Sequence, residues 1–221
     1  MSDNKQTTTG NKTSNPTALQ AMFTSSGKLT AFVFISIVSL LIVRFFTAPE
    51  IEQAERQALL NSFEQVLPSS QYDNNPLEDT LHITLPKYLK LLGSNNPVTV
   101  YRTYKNQQPA GVIFKTIAPS GYAGNIVLLM AVLPNGEISG VRVLKHSETP
   151  GLGDKIEILK SDWITAFNGR QLSNNESAWA VKKDRGEFDQ FTGATITPRA
   201  VVKAVKNALV VVNDLGDALY E

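Results

Sequence analysis

The stretch DQFTGATITPRAVVKAV, Asp189 to Val205, sets the small residues Thr192-Gly193-Ala194-Thr195 directly ahead of a helix start. Thr197 reads as its N-cap and Pro198 as the first helical residue, after which Val201, Val202, Val205, Leu209 and Val212 recur at helical spacing. A helix start carries unpaired backbone N–H groups and the positive end of the macrodipole. A turn without bulky side chains in front of it therefore lets an anion come close, a phosphate first of all. The pattern has neither the Lys of a Walker loop nor the spacing of the Gly-rich dinucleotide fingerprint. An ordinary capped turn would use the same residues, so the residue types alone leave both readings open.

HSETPGLGDK, His146 to Lys155, is the second stretch with chemical potential. Pro150, Gly151 and Gly153 predict a tight loop whose backbone can approach a flat or charged ligand, and Glu148 and Thr149 offer polar side chains beside it. Loops of this composition also join strands to helices for purely structural reasons. The charge run Lys182-Lys183-Asp184-Arg185 reads as a solvated surface loop.

Several chemistries are excluded outright. The chain has no cysteine, which removes disulfides, thiolate-held iron–sulfur clusters and Cys-based zinc. Its two histidines, His82 and His146, lack ligand-spaced partners, so they read as structural or surface residues and no metal site is expected. A net charge of +1 leaves no electrostatic footprint for nucleic acid.

The elements that must hold these stretches follow from periodicity. VTVYR, GVIFKTI, NIVLLMAVL and ISGVRVLK alternate with a period of two, and Pro134-Asn135-Gly136 supplies the turn between the last pair. Helices predicted around Lys155 to Phe167 and over Pro198 to Leu215 can cover this antiparallel sheet, which gives an α+β fold. Upstream, Ala54, Ala58, Phe63 and Val66 mark a helix over Ile51 to Val66, ended by Pro68, while Ser69 to Pro97 defies assignment.

LTAFVFISIVSLLIVRFFT, Leu29 to Thr47, is apolar on every face and long enough to span a bilayer, with Arg44 near its far end where it can snorkel. Phe45 and Phe46 stand where a cleavable signal would need small residues, so the segment reads as an uncleaved transmembrane helix. Lys5, Lys12 and Lys28 precede it against Asp3, whereas Glu50, Glu52 and Glu55 follow it against Arg56. The positive-inside rule then puts the N-terminus in the cytoplasm and the domain outside it. The organisation expected is a disordered tail over 1–28, the span over 29–47, a membrane-proximal helix and connector over 48–97, and a ligand-binding domain over 98–221.

Taken together, HSETPGLGDKIEILKSDWITAFNG and DQFTGATITPRAVVKAV closely resemble the G subunit of the Rnf (Rsx) electron-transport complex. The resemblance covers the membrane anchor and nearly all of the domain, and its most specific part is D-x-x-T-G-A-T, Asp189 to Thr195. In that family, and in the similar C subunit of the sodium-pumping NADH:quinone reductase, the last Thr of the motif carries FMN through a phosphoester. Here that residue is Thr195. The resemblance implies a flavin transferase that uses FAD and Mg2+, and a relay of electrons inside a multi-subunit complex of the bacterial inner membrane. That complex works between ferredoxin and NAD, coupled to Na+ or H+ movement, or serves SoxR reduction. On this reading the chain is an electron-transfer subunit and not a stand-alone enzyme, with no catalytic nucleophile of its own. Gly193 and Ala194 keep the phosphate approach open, Thr192 can donate to the phosphate, and Glu148, Thr149, Gly151 and Leu152 are the candidate neighbours of the flavin ring. The quinone-reductase C subunit is the alternative within the class. An anchored FMN-binding sensor module is the alternative outside it.

Overall fold

The computed structural model describes residues 18–172 and 176–220. The chain divides into two compact units, one ending at Arg56 and the other running from Gln57. Helix α1, Ala18–Val66, contains the predicted span and continues through the predicted membrane-proximal helix without a break. Residues 1–17 of the tail predicted as disordered lie outside the described residues, and the rest of that tail is helical from Ala18. Ala18, Leu19, Gln20, Ala21 and Met22 ahead of the span, and Glu50, Glu52, Gln53, Ala54 and Glu55 behind it, are good helix formers that carry the helix on in both directions. In the first unit Leu29, Phe32, Phe34, Ile35, Leu40, Phe45 and Phe46 are all exposed, the pattern of a helix long and apolar enough to cross a membrane.

The second unit is built on a five-stranded antiparallel sheet in simple sequence order. Its strands are β1 (Thr80–Ile83), β2 (Val98–Lys105), β3 (Gln108–Gly121), β4 (Gly124–Val132) and β5 (Ile138–Lys145), with the short helix α2 (Pro86–Leu91) between the first two. The strands expected from alternation are all present. β1 and α2 come from the stretch that resisted assignment, where four strand residues and six helical ones are too few to show a period. The β2–β3 hairpin closes on Asn106 and Gln107, both at positive φ (51° and 64°), as a two-residue turn whose twist matches its strands requires.

Each face of the sheet has its own cover. Val112, Phe114, Leu128 and Met130 point towards helix α3 (Ile196–Leu215), which buries Val201, Val202, Val205, Ala208 and Leu209 against them. On the other face Ile113, Leu129 and Ala131 pack under Phe63, Val66 and Leu67. Each of those three contributes roughly 1.5–3 kcal/mol by its burial. A Cβ on Gly140 would lie 2.8 Å from Val66 Cα, so glycine there admits the helix end. Residues 57–97, expected as a membrane-proximal helix and connector, fall in the second unit, to which they supply a strand, a helix and the buried Phe63, Val66 and Leu67.

The helix predicted around Lys155 to Phe167 is instead two 3-10 segments, Gly153–Ile156 and Asp162–Phe167. Ser161 Oγ accepts the Trp163 N–H at 3.2 Å and starts a new segment, and apolar residues three or four apart cannot tell the two helix types apart over so short a run.

Candidate functional site

The loop after β5 and the start of α3 meet. Thr149-Pro150-Gly151-Leu152 forms a turn closed by the Leu152 N–H on the Thr149 carbonyl at 3.1 Å, with Pro in its second place and Gly151 at φ +77° in its third. Phe191-Thr192-Gly193-Ala194 repeats the device, closed at 3.1 Å with Gly193 at φ +80°. A Cβ on Gly193 would touch Leu152 Cδ2 at 3.6 Å, so the tips of the two turns lie against each other. Trp163 holds the second turn from below: its Nε1–H donates to the Asp189 carbonyl at 2.7 Å and its ring packs edge-on against Phe191. The charge run beside it is exposed as expected, and Lys182 pairs with Asp189 and Arg199 with Asp184.

Between the turns opens a cleft of about 310 Å³. Glu148, Thr149, Leu152, Gly193, Ala194 and Thr195, six residues expected at the site, line it. Thr192 and Gly151 are outside the lining and belong to the turns that shape it. The lining also includes Tyr122 from the β3–β4 turn, Gly153, Ile196 and Thr197, which sequence reasoning did not assign. Tyr122 carries no local signal that could have found it, since only the fold brings that hairpin tip to residues 148–153.

Thr195, rather than Thr197, is the residue at the N-cap position, and Pro198 is the third helical residue rather than the first. Thr195 makes no side-chain capping bond and is half-buried, so its hydroxyl is left for other chemistry. In the first turn the Ile196 and Thr197 N–H groups lack intrahelical acceptors, and Pro198 has no N–H. None of the lining residues is cationic. An anion at Thr195 is met by backbone donors and the macrodipole. Leu152, Ile196 and Tyr122 are each partly or largely exposed, which leaves apolar surface at the mouth.

Behind the wall runs a chain of polar contacts. Glu148 N–H donates to His146 Nδ1 at 3.0 Å, which puts the ring proton on Nε2, facing Glu157 Oε1 at 2.7 Å. Lys160 then bridges Glu157 (3.0 Å) and the buried Asp154 (2.8 Å). The Lys160 ammonium holds the Asp154 carboxyl below the usual carboxylate range, while His146 and then Lys160 do so for Glu157. His146 is thus a structural residue of the Pro/Gly loop. Among the described residues no group of His, Asp and Glu could hold a metal ion.

Comparison with known proteins gives the site a setting. The FMN-binding domain family matches residues 121–210, which takes in the β3–β4 turn, both loops and most of α3. The G subunit of the ion-translocating oxidoreductase complex of Pseudoalteromonas atlantica is 43% identical over 87% of this chain and 88% of its own length. Its counterpart in Vibrio cholerae is 46% identical over 87% of this chain and 90% of its own. The chain belongs to this G-subunit family. A third member, from Pseudomonas aeruginosa, is 43% identical over 86% of this chain and 88% of its own length, and the family membership sets aside the quinone-reductase C subunit as the identity of this one. Among solved structures, NqrC of Shewanella oneidensis aligns with a TM-score of 0.47 at 23% identity, covering 67% of this chain and 75% of that one.

Proposed function

We propose that this G-family protein is a membrane-anchored flavoprotein that holds FMN as a phosphoester on Thr195 and relays electrons within an ion-translocating complex of the Rnf type. One observation carries the reading: two loops distant in sequence close a cleft on an uncapped Thr195 hydroxyl at the start of a twenty-residue helix. The residues present fit the group. A phosphodiester at Thr195 would be met by the Ile196 and Thr197 N–H groups and the helix dipole, with Gly193 leaving the approach clear and Thr192, in the turn ahead of it, as a proposed further donor. Leu152, Ile196 and Tyr122 would offer the ring apolar surface, with Thr149 and Glu148 as polar lining. When bound, FMN supplies reversible one- and two-electron transfer.

Attachment is the work of a separate flavin transferase. It joins Thr195 Oγ to the FMN phosphorus of FAD, breaks the pyrophosphate bridge and releases AMP, while the hydroxyl proton leaves to the transferase. The apolar helix crosses the inner membrane once with its N-terminus in the cytoplasm, and the flavin domain works outside. A covalent tether then keeps the effective concentration of flavin high where a dissociated molecule would be lost. Electrons pass between ferredoxin and NAD, or towards SoxR, through the other subunits.

The test is co-expression of the full chain with the transferase, followed by flavin fluorescence on a denaturing gel and mapping of the labelled peptide by mass spectrometry. Thr195→Ala is expected to lose the fluorescent band and Thr192→Ala to keep part of it. Equal fluorescence from denatured Thr195→Ala and wild type would remove Thr195 as the attachment site.

A further inference from the structure

We propose that Glu148 is a positioning residue for flavin attachment, its buried carboxylate fixing, through Thr197, where Thr195 presents its hydroxyl. The inference rests on attachment at Thr195 and goes beyond it. Glu148 is only 4% exposed although it lines a cleft, and each of its carboxylate oxygens already has a donor. Oε1 accepts from the Ala123 N–H at 3.1 Å, and Oε2 accepts from the Thr197 hydroxyl, itself fully buried. A carboxylate is the side chain that can accept at both ends, which suits a joint between two donors.

The surroundings are shaped around those two oxygens. A Cβ on Gly121 would fall 2.8 Å from Oε1, and one on Gly153 would fall 2.9 Å from Oε2 and 2.8 Å from Thr197 Oγ. Neither glycine is at positive φ, so what each provides is room. Three elements therefore converge on one side chain: the β3–β4 turn at Gly121 and Ala123, the Pro/Gly loop at Gly153, and the first turn of α3 at Thr197. Each carries a cleft residue next to the joint, namely Tyr122, Leu152 and Ile196, and Thr195 lies two residues before Thr197. The Glu148 backbone is held in turn by its N–H on His146 Nδ1, at 3.0 Å.

Phosphoryl transfer to a hydroxyl depends on alignment, and a displacement of about 1 Å in a reacting group can cost on the order of 100-fold in rate. With the carboxylate gone, the Thr197 hydroxyl and the Ala123 N–H lose their acceptor, and the helix start is no longer tied to the loop that faces it. Attachment should then slow even though the protein is folded. A residue that only stabilised the fold would leave the rate constant of the folded molecules unchanged and lower the amount of protein able to react.

The experiment separates the two. Full-length protein made without the transferase is mixed in detergent with transferase and FAD, and attachment is followed by in-gel fluorescence. Thr197→Val and Glu148→Ala are expected to lower the rate constant at saturating transferase roughly 10- to 100-fold, with the KM for FAD unchanged and the final extent approaching that of wild type. Thr197→Ser, which keeps the donor, is expected to recover most of the rate. Wild-type rate constants in Thr197→Val and Glu148→Ala would overturn the proposal, whether the final extent is full or falls with the folded fraction. So would a Thr197→Ser as slow as Thr197→Val. A wild-type protein that takes its label at a residue other than Thr195 is a different result, and it would sink the attachment reading itself.

Discussion

Gly151 and Gly153 stand two residues apart in one loop and should fail for opposite reasons when replaced. At Gly153 the backbone is ordinary and space is absent: a Cβ would meet Thr197 Oγ at 2.8 Å, Glu148 Oε2 at 2.9 Å and Glu148 Cβ at 3.0 Å. Overpacking of this kind costs about 1–3 kcal/mol. Forcing apart a buried hydrogen bond to a carboxylate adds roughly 1.5–3 kcal/mol. The sum is about 2.5–6 kcal/mol, which in a domain of this size lowers Tm by roughly 5–24 °C. At Gly151 space is open and the backbone is special, with φ at +77° and nothing within 4 Å of a Cβ. Asn tolerates that region, so Gly151→Asn should cost under about 1 kcal/mol, or less than roughly 4 °C. Both tryptophans, Trp163 and Trp179, are buried in the folded domain, so tryptophan fluorescence of the full chain in detergent reports its melting directly. Equal melting of Gly153→Ala and wild type, or a Gly151→Asn that melts below Gly153→Ala, would refute the geometry from which Glu148 and Thr197 were joined.

Two further outcomes are expected. Asp154 and Glu157 have folded pKa values depressed by Lys160 and His146, so the unfolded chain binds more protons as acid is added. The stability these groups contribute is complete above their ordinary values, about pH 4, and is lost as pH falls through the folded ones; urea midpoints against pH should show that acid limb, flattened in Lys160→Met, and an unchanged limb in the variant would contradict it. For topology, a reporter fused after Glu221 should be active only outside the cytoplasm, and activity inside would reverse the proposed orientation.

Much of this protein was legible locally. Alternation located the sheet strands from Val98 onward, and helical spacing located α3, because period and burial are tied together within one element. The all-round apolar run marked the part of α1 that is long and apolar enough to cross a membrane, and Pro150-Gly151 marked a turn whose backbone demands are met within four residues. Thr195 stands out as the proposed attachment residue only through the D-x-x-T-G-A-T resemblance, since its residue types also suit a plain capped turn. Other features had no local trace. Thr197 looked like a cap because hydroxyl residues before helices usually are, yet its hydroxyl is taken by Glu148, 49 residues away in sequence. Tyr122 reached the cleft, Phe63, Val66 and Leu67 reached the far face of the sheet, and Trp163 reached Asp189, all by closure of the chain on itself. Periodicity says which face of an element is buried and is silent on what buries it. That choice is made by side-chain volumes and unpaired donors that meet only when sheet, loop and helix are assembled.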